Sequence, residues 1–172
     1  MRPFEHIAIA VAALVLMEGA SYAAHRWVMH GFAMRWHRSH HLPARGGWEA
    51  NDLFPAVFAL LGFAMFIVAA ITGSGATYAA AIGITAYGMA YLFVHEIYIH
   101  RRLSIRVQDT AYLCWVKDAH SMHHAFGGEP YGMLLPVVSA ALRARASGRD
   151  PLDTLARLSA RASSNAETRS RL

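Results

Sequence analysis

Three long apolar runs dominate the pattern of hydrophobic and polar positions, at residues 4–24, 53–72 and 76–94. Each run has close to the roughly 20 residues that an α-helix needs to cross a bilayer core. Only the uncharged turn Gly73-Ser74-Gly75 separates the last two runs, which predicts an antiparallel helical hairpin. The first run is too long for the apolar part of a signal peptide, so we interpret it as a span. The pattern therefore predicts an all-α integral membrane protein with about three spanning helices.

Basic residues flanking these runs predict their orientation. Four arginines lie between the first and second runs, three arginines and Lys117 follow the third, and the Gly73 turn has no charge. Because basic loops stay in the cytoplasm, we expect the N-terminus outside and both basic segments on the cytoplasmic face of the inner membrane. Arg2 alone favours the opposite orientation.

The C-terminal part of the chain has a shorter apolar segment and a polar tail. A fourth apolar stretch, residues 131–142, is too short to span and contains Pro136, so we expect it to be re-entrant, interfacial or packed on the helices. From residue 143 the chain is rich in Arg, Ser and Ala, with a possible short helix after Asp150-Pro151 and a disordered end. The predicted domains are a membrane domain at 1–142 and a polar, partly disordered tail at 143–172.

Composition narrows the class of protein. The chain is 55% hydrophobic and only 16% charged, whereas a soluble domain carries about a quarter charged residues. Its net charge of +5 could indicate nucleic-acid binding, but the positive charges flank apolar segments instead of forming a soluble basic face. A single cysteine, Cys114, excludes an intrachain disulfide and a cysteine-rich metal site, and we interpret it as a packing residue.

Histidine is the exceptional residue, with 11 in the chain. His6 stands apart and is interpreted as an interface or surface residue. The other ten form two H-x4-H pairs and two H-x2-H-H triplets, and this two-part pattern occurs once after the first span and once after the third. They are His25, His30, His37, His40, His41, His95, His100, His120, His123 and His124.

Helical spacing supports metal ligation by these groups. Residues at i, i+3 and i+4 share a helix face, so each triplet can point three imidazoles at one spot. The pairs fit less well, because five residues leave two side chains about 140° apart on an ideal helix. Either the helix is distorted at each pair, or the two histidines bracket a wide site.

Ten imidazoles exceed the needs of one metal ion. Such ligands suit Zn, Cu, Fe and Ni. A structural zinc needs four ligands and a catalytic zinc three, and the H-E-x-x-H motif of a zinc hydrolase is absent from the sequence. Haem in a membrane bundle uses isolated axial histidines. A pair of irons with positions open to O2 is favoured.

Several motifs resemble the bacterial β-carotene hydroxylases, within the wider fatty-acid hydroxylase and sterol desaturase group. They are HRWVMHG at 25–31, WHRSHH at 36–41, EANDLF at 49–54, TAYG at 85–88, VHE at 94–96, HR at 100–101 and AHSMHH at 119–124. The resemblance covers about residues 10–140. Two departures concern Glu96, where many relatives are expected to have Asp, and residues 127–136.

The resemblance implies a non-haem di-iron oxygenase that hydroxylates C3 and C3′ of carotenoid β-ionone rings, converting β-carotene to zeaxanthin through β-cryptoxanthin. It implies two irons bound by the ten histidines, O2 as co-substrate and two electrons from an external, ferredoxin-type donor, since no nucleotide-binding fingerprint is visible. The spans would carry a cytoplasmic, histidine-rich helical cap. The alternatives are a related fatty-acid or sterol hydroxylase or desaturase, and a non-catalytic membrane metal-binding protein.

Other polar and aromatic residues have two interpretations each. Asn51 and Asp52 could orient ligating imidazoles or cap the second span. Glu96 could orient a ligating imidazole or pair with Arg101 or Arg102. The intramembrane Glu18 could have a functional role or could simply be buried and hydrogen-bonded. The aromatic residues near the histidines could line a substrate tunnel, with Tyr22, Tyr87 and Tyr91 as candidates, or form an interfacial belt. The set is Tyr22, Trp27, Trp36, Tyr87, Tyr91, Phe93 and Tyr98.

Overall fold

A computed structural model describes residues 2–42 and 48–147, and the described part is helical with no strand. Six α-helices follow one another along the chain. They are α1 (Pro3–Ala23), α2 (Met34–His37), α3 (Leu53–Thr72), α4 (Gly75–Tyr91), α5 (Ala111–Phe126) and α6 (Ala140–Ser147). Short 3-10 turns at Arg38–His41 and Ala50–Asp52 connect α2 to α3.

Two of the long helices continue into π-helical segments, of which the first is kinked at Gly31. α1 runs on through Ala24–Phe32, and α4 runs on through Leu92–Ile99. With these extensions three helices are long and apolar enough to cross a membrane: Pro3–Phe32, Ala50–Thr72 and Gly75–Ile99. The predicted all-α architecture with three spans is confirmed, and the first and third helices extend beyond the apolar runs at 4–24 and 76–94.

Gly73 and Ser74 form the turn between α3 and α4. Gly73 ends α3 in the left-handed conformation (φ 65°), which a residue without a Cβ adopts at no steric cost. Ser74 then caps α4, because its side chain accepts a hydrogen bond from the Thr77 backbone N–H at 3.2 Å. These two residues reverse the chain and make the predicted hairpin.

α4 is the central helix of the bundle and packs against both α1 and α3. Gly83 allows the closest approach, since a Cβ at this position would collide with the backbone carbonyl of Ala10 and with the Ala13 side chain. Small residues permit such contacts between membrane helices, where packing rather than the hydrophobic effect drives association.

The outward faces of the bundle are apolar. Leu16, Ile71 and Leu60 are exposed to 72%, 79% and 67%. One buried apolar cluster lies at the histidine-bearing end, where Val94 and Tyr98 of the α4 extension pack on Leu113 and Val116 of α5. The apolar exterior fits a protein that is surrounded by lipid along most of its length.

The fourth apolar stretch packs on the helices. Residues 131–139 are irregular, Met133 and Val138 are buried, and the backbone N–H groups of residues 133–135 bond to the carboxylate of Glu18 on α1. Only Ala140–Ser147 is helical, and it crosses the predicted domain boundary at 142. The predicted helix after Asp150-Pro151 and the predicted disordered end lie outside the described residues.

Candidate metal centre

The two π-helical segments solve the spacing problem of the H-x4-H pairs. In each segment hydrogen bonds run from i to i+5, as in the 3.0 Å bond from the His100 N–H to the His95 carbonyl. The wider turn brings residues five apart onto one face. The ring centroids of His25 and His30 therefore lie 5.0 Å apart, and those of His95 and His100 lie 4.6 Å apart. Of the two alternatives, a distorted helix is the one observed.

Eight of the ten histidines form two groups, each with its ligand atoms within 4.8 Å of one another. The first cluster contains His25, His30, His37 and His123. The second cluster contains His40, His95, His100 and His120.

The last two histidines lie between the clusters and face each other. The rings of His41 and His124 stack with centroids 4.5 Å apart. His41 adjoins the first cluster, with its Nε2 3.1 Å from that of His37, and His124 adjoins the second, 4.5 Å from the His120 ring. The structure thus brings all ten predicted ligands together in two neighbouring groups of five.

One histidine of each triplet crosses to the other cluster. His40 belongs to the triplet that follows the first span, yet it lies with His95 and His100. His123 makes the opposite exchange and lies with His25 and His30. The prediction that each triplet converges on one spot was therefore wrong. Side chains at i+3 and i+4 diverge to opposite sides of residue i, so the two can address neighbouring sites.

The hydrogen bonds of the first cluster leave lone pairs facing one another. His37 uses Nδ1 toward Asn51 Oδ1 at 2.7 Å, and His25 uses Nδ1 toward the Tyr131 carbonyl at 3.0 Å. Both acceptors are oxygens, so both Nδ1 atoms carry the proton and both Nε2 atoms carry lone pairs. These Nε2 atoms nevertheless lie 3.2 Å apart, which a cation between them would explain.

Distances and burial of the ring nitrogens fit metal coordination. Nitrogens bound to one ion at about 2.0–2.1 Å, with angles near 90–110°, lie about 2.9–3.4 Å apart. The Nε2 atoms of His30 and His123 are 3.1 Å apart, and those of His100 and His120 are 2.9 Å apart. Within the described residues, buried Nε2 atoms without a hydrogen-bond partner occur on His40, His95 and His124. The donor set therefore fits two metal ions.

Burial also keeps the imidazoles in the form that binds metal. It lowers the pKa of His37 and His41 to about 4 and the pKa of His100 and His123 to about 3. Burial likewise lowers the pKa of His124 to about 2. A neutral imidazole is the ligand for a metal ion, so these side chains are ready to bind without losing a proton at neutral pH.

Backbone and side-chain oxygens orient the ligating rings. In the first cluster the partners are Asn51, the Tyr131 carbonyl and the Gly128 carbonyl, which accepts from His123 Nδ1. In the second cluster Glu96 Oε1 accepts from His95 Nδ1 at 2.7 Å. Such partners fix the ring orientation and its tautomer. The sequence did not predict the roles of the Tyr131 and Gly128 carbonyls, because every residue has a backbone oxygen and no residue type indicates which of them will accept a hydrogen bond from a histidine.

The candidate orienting residues therefore have different roles. Asn51 and Glu96 each bond to a histidine, and Glu96 also accepts from Arg102 Nη1 at 3.0 Å. Asp52 instead pairs with Arg102 and accepts from the Glu49 backbone N–H, which caps the turn before α3. These hydrogen bonds raise the pKa of Arg102 and hold its charge beside Glu96.

A cavity of about 910 Å³ lies between α1, α3 and α4 and reaches the second cluster. Most of its wall is apolar, and its polar end includes Glu49, Asp52, Glu96, His100 and Arg102. Tyr87 and Tyr91 line it, whereas Tyr22 lies outside its wall and packs against Trp27 and Tyr131. Apolar walls with a few polar groups at one end are typical of a binding site for a hydrocarbon-rich molecule.

Comparison with known proteins agrees with the geometry. The family model described as fatty acid hydroxylase matches residues 10–142. The β-carotene hydroxylase of Pantoea ananas is 36% identical over 150 residues, covering 82% of this chain and 85% of the relative. That of Pseudescherichia vulneris is 37% identical, covering 70% and 68%. No solved structure matches.

The plant relatives are longer. A chloroplastic β-carotene 3-hydroxylase from an Oncidium hybrid cultivar is 43% identical over 136 residues, which cover 74% of this chain but only 44% of the relative. The chain thus spans less than half the length of this plant enzyme and most of the length of the two bacterial ones. It belongs to the fatty acid hydroxylase family, in which the relatives named here are β-carotene hydroxylases.

Proposed function

We propose that this protein is a non-haem di-iron oxygenase that hydroxylates C3 and C3′ of carotenoid β-ionone rings. It would convert β-carotene to zeaxanthin through β-cryptoxanthin, using O2 and two electrons. The observation that carries the proposal is the pair of four-histidine clusters, with His41 and His124 between them, beside an apolar cavity. The names of the bacterial and plant relatives support the substrate.

Iron suits the proposed reaction and the ligands. All ten histidines would hold two iron ions, five in each cluster, and the irons would supply activation of O2. The substrate is a hydrocarbon with no acidic proton or leaving group, so no acid or base of the protein is needed for the C–H step. The protein instead binds the ring, orients it and keeps the ligating imidazoles neutral.

Residues that line the cavity would position the carotenoid substrate. Apolar side chains of α3 and α4, such as Phe58, Ile84 and Leu92, would hold the polyene. The ring would lie at the polar end, where His100 is part of the wall. Tyr87 and Tyr91 would contact the substrate near that end. A carotenoid dissolved in the bilayer could enter between the helices without crossing water.

We further propose that the metal centre faces the cytoplasm from the inner membrane. The exposed Arg35, Arg38, Arg101 and Arg106 lie in the two segments that carry the histidines, as cytoplasmic residues should. The same basic face would receive electrons from an acidic ferredoxin-type donor, itself served by a reductase.

Expression in a bacterium that accumulates β-carotene tests the substrate directly. Pigments are separated by chromatography and identified by mass, with His123→Ala as the metal-site control. We expect zeaxanthin and its mono-hydroxylated precursor with the wild-type chain only. Unchanged β-carotene despite good expression of an iron-loaded protein would contradict the proposal.

The main alternative is a membrane fatty-acid or sterol hydroxylase or desaturase, which the broader family match keeps open. It would share the metal centre and differ in the cavity. Lipid extracts from the same cells distinguish it, because hydroxylated or unsaturated acyl chains would then appear while carotenoids stay unchanged. A non-catalytic metal-binding protein would bind iron and change neither pool.

A further inference from the structure

A short irregular segment, residues 127–135, joins the membrane helices to the first metal cluster, and we call it the strap. Its Gly128 carbonyl accepts from His123 Nδ1, and its Tyr131 carbonyl accepts from His25 Nδ1 at 3.0 Å. The Tyr131 ring also packs against the rings of His25, His30 and His123, with centroids 5.2–5.6 Å away. Every histidine touched in this way belongs to the first cluster.

Glu18 of α1 holds the strap from the other side. Its Oε1 accepts from the backbone N–H groups of Met133, Leu134 and Leu135 at 2.9, 3.1 and 2.9 Å. Its Oε2 accepts from the Tyr87 hydroxyl at 2.7 Å. A carboxylate in an apolar span is costly unless its lone pairs are used, and here four donors surround it.

The other contacts that hold the strap are fewer or more exposed. Arg26 pairs with Glu129 at 3.2 Å, but both side chains are more than 40% exposed, and such pairs contribute little. Tyr112 of α5 donates to the Leu134 carbonyl at 2.9 Å. Glu18 makes the most hydrogen bonds to the strap, and they lie two to four residues after Tyr131.

We propose that Glu18 is a positioning residue for the first metal ion alone, acting through the strap and the carbonyls of Gly128 and Tyr131. The inference rests on the proposed function, because it requires two metal ions. The second cluster is oriented separately, by Glu96 with Arg102. Loss of the Glu18 carboxylate would therefore loosen one metal ion and leave the other in place.

Replacing Glu18 tests this directly. Glu18→Met keeps a similar length and removes every acceptor. In protein purified from cells grown on 57Fe, we expect iron to fall from about two to about one per chain, with a loss of affinity at one site of about 10–100-fold. Glu18→Gln should keep both irons, since its amide oxygen can accept the three N–H groups and its NH2 can donate to Tyr87.

A second variant reaches the same contact without touching Glu18. A Cβ on Gly132 would lie 2.8 Å from the Leu135 carbonyl oxygen and 3.0 Å from Glu18 Oε1. Gly132→Ala should therefore push the strap off the carboxylate and lose the same iron. Glu5→Met is the matched control, because Glu5 pairs with Arg2 at the far end of the same helix.

Mössbauer spectra identify which iron is lost. The signal missing in Glu18→Met should be the one weakened by Asn51→Leu, which disturbs His37, and should survive Glu96→Met, which removes the acceptor of His95 Nδ1. Retention of both irons in Glu18→Met and Gly132→Ala, or equal loss from both sites, would overturn the inference. A wild-type chain that holds no iron would instead contradict the proposed function, and the inference would fall with it.

Discussion

At the scale of single residues, the two histidines that cross between clusters decide how the centre is assembled. His40 and His123 each leave the other members of their triplet for the opposite cluster. Adjacent positions therefore lie in different clusters. Neighbours in sequence, such as His123 and His124, are separated in function.

This arrangement predicts distinct effects of neighbouring substitutions. His123→Ala should weaken the first metal site, and His124→Ala should weaken the second, although both lie on α5. Each variant should retain close to one iron per chain, and their Mössbauer spectra should be complementary. Identical spectra from the two variants would contradict the assignment of His123 and His124 to different clusters.

Asn51 gives a second prediction at this scale. Its Oδ1 accepts from His37 at 2.7 Å, and it is buried. Asn51→Leu should lower the affinity for one iron by about 10–100-fold, because the imidazole loses the partner that fixes its tautomer. Asn51→Asp keeps an acceptor and should retain the metal. Equilibrium titration of the metal-free protein with Fe(II) measures the iron affinity of both variants. Unchanged affinity in Asn51→Leu would exclude a role for Asn51 in orienting His37.

The roles of individual residues could be predicted from the sequence only in part. The spacing identified all ten histidines, and Asn51 and Glu96 were candidates for orienting them. The division between two sites was not accessible, because it depends on how α2 and α5 meet in space. Glu18 was left between two interpretations, since its partners lie 115–117 residues away along the chain.

At the scale of secondary-structure elements, the bundle depends on the close contact of α1 with α4. Hydropathy predicted both helices and the α3–α4 hairpin, but it carries no information on which helix lies in the centre. The H-x4-H spacing left a distorted helix as one of two alternatives at residues 24–32 and 92–99. The choice between them could not be made from the sequence, because the π-helical turns align ligands that only the folded protein brings together.

The contact at Gly83 can be tested against another glycine of the same helix. Gly83→Ala should destabilise the protein by about 1–3 kcal/mol, since its Cβ would meet the backbone of Ala10. Gly88→Ala is the control, because its Cβ would meet nothing within 4 Å. Thermal unfolding in detergent measures both. Equal midpoints for the two variants would show that α1 and α4 do not approach closely at Gly83.

At the scale of the whole molecule, the metal centre connects parts of the chain that share little other packing. The first cluster joins the π-helical extension of α1 to α2 and α5. The second joins the 3-10 turn after α2 to α5 and to the end of the π-helical extension of α4. The apolar core beneath them is small. Metal binding is therefore expected to supply much of the stability of the histidine-bearing end.

Removal of the metal should accordingly loosen one end of the molecule and spare the other. Chelation should expose the amides of α2 and α5 to hydrogen exchange, whereas those of α3 and the membrane-embedded part of α4 should stay protected. Hydrogen exchange with mass spectrometry, before and after chelation and after reloading with Fe(II), makes the comparison. Unchanged protection of α5 would mean that the cap is stable without metal.

The crossing of His40 and His123 also makes the two histidine-bearing segments depend on each other. Each of the two histidine-bearing segments follows a span and contains one pair and one triplet, so each segment on its own offers five histidines. In the folded chain neither segment uses its own set, because each gives one ligand away and receives one. The exchange of His40 for His123 is reciprocal, as is the exchange of side chains between the two subunits of a symmetric dimer.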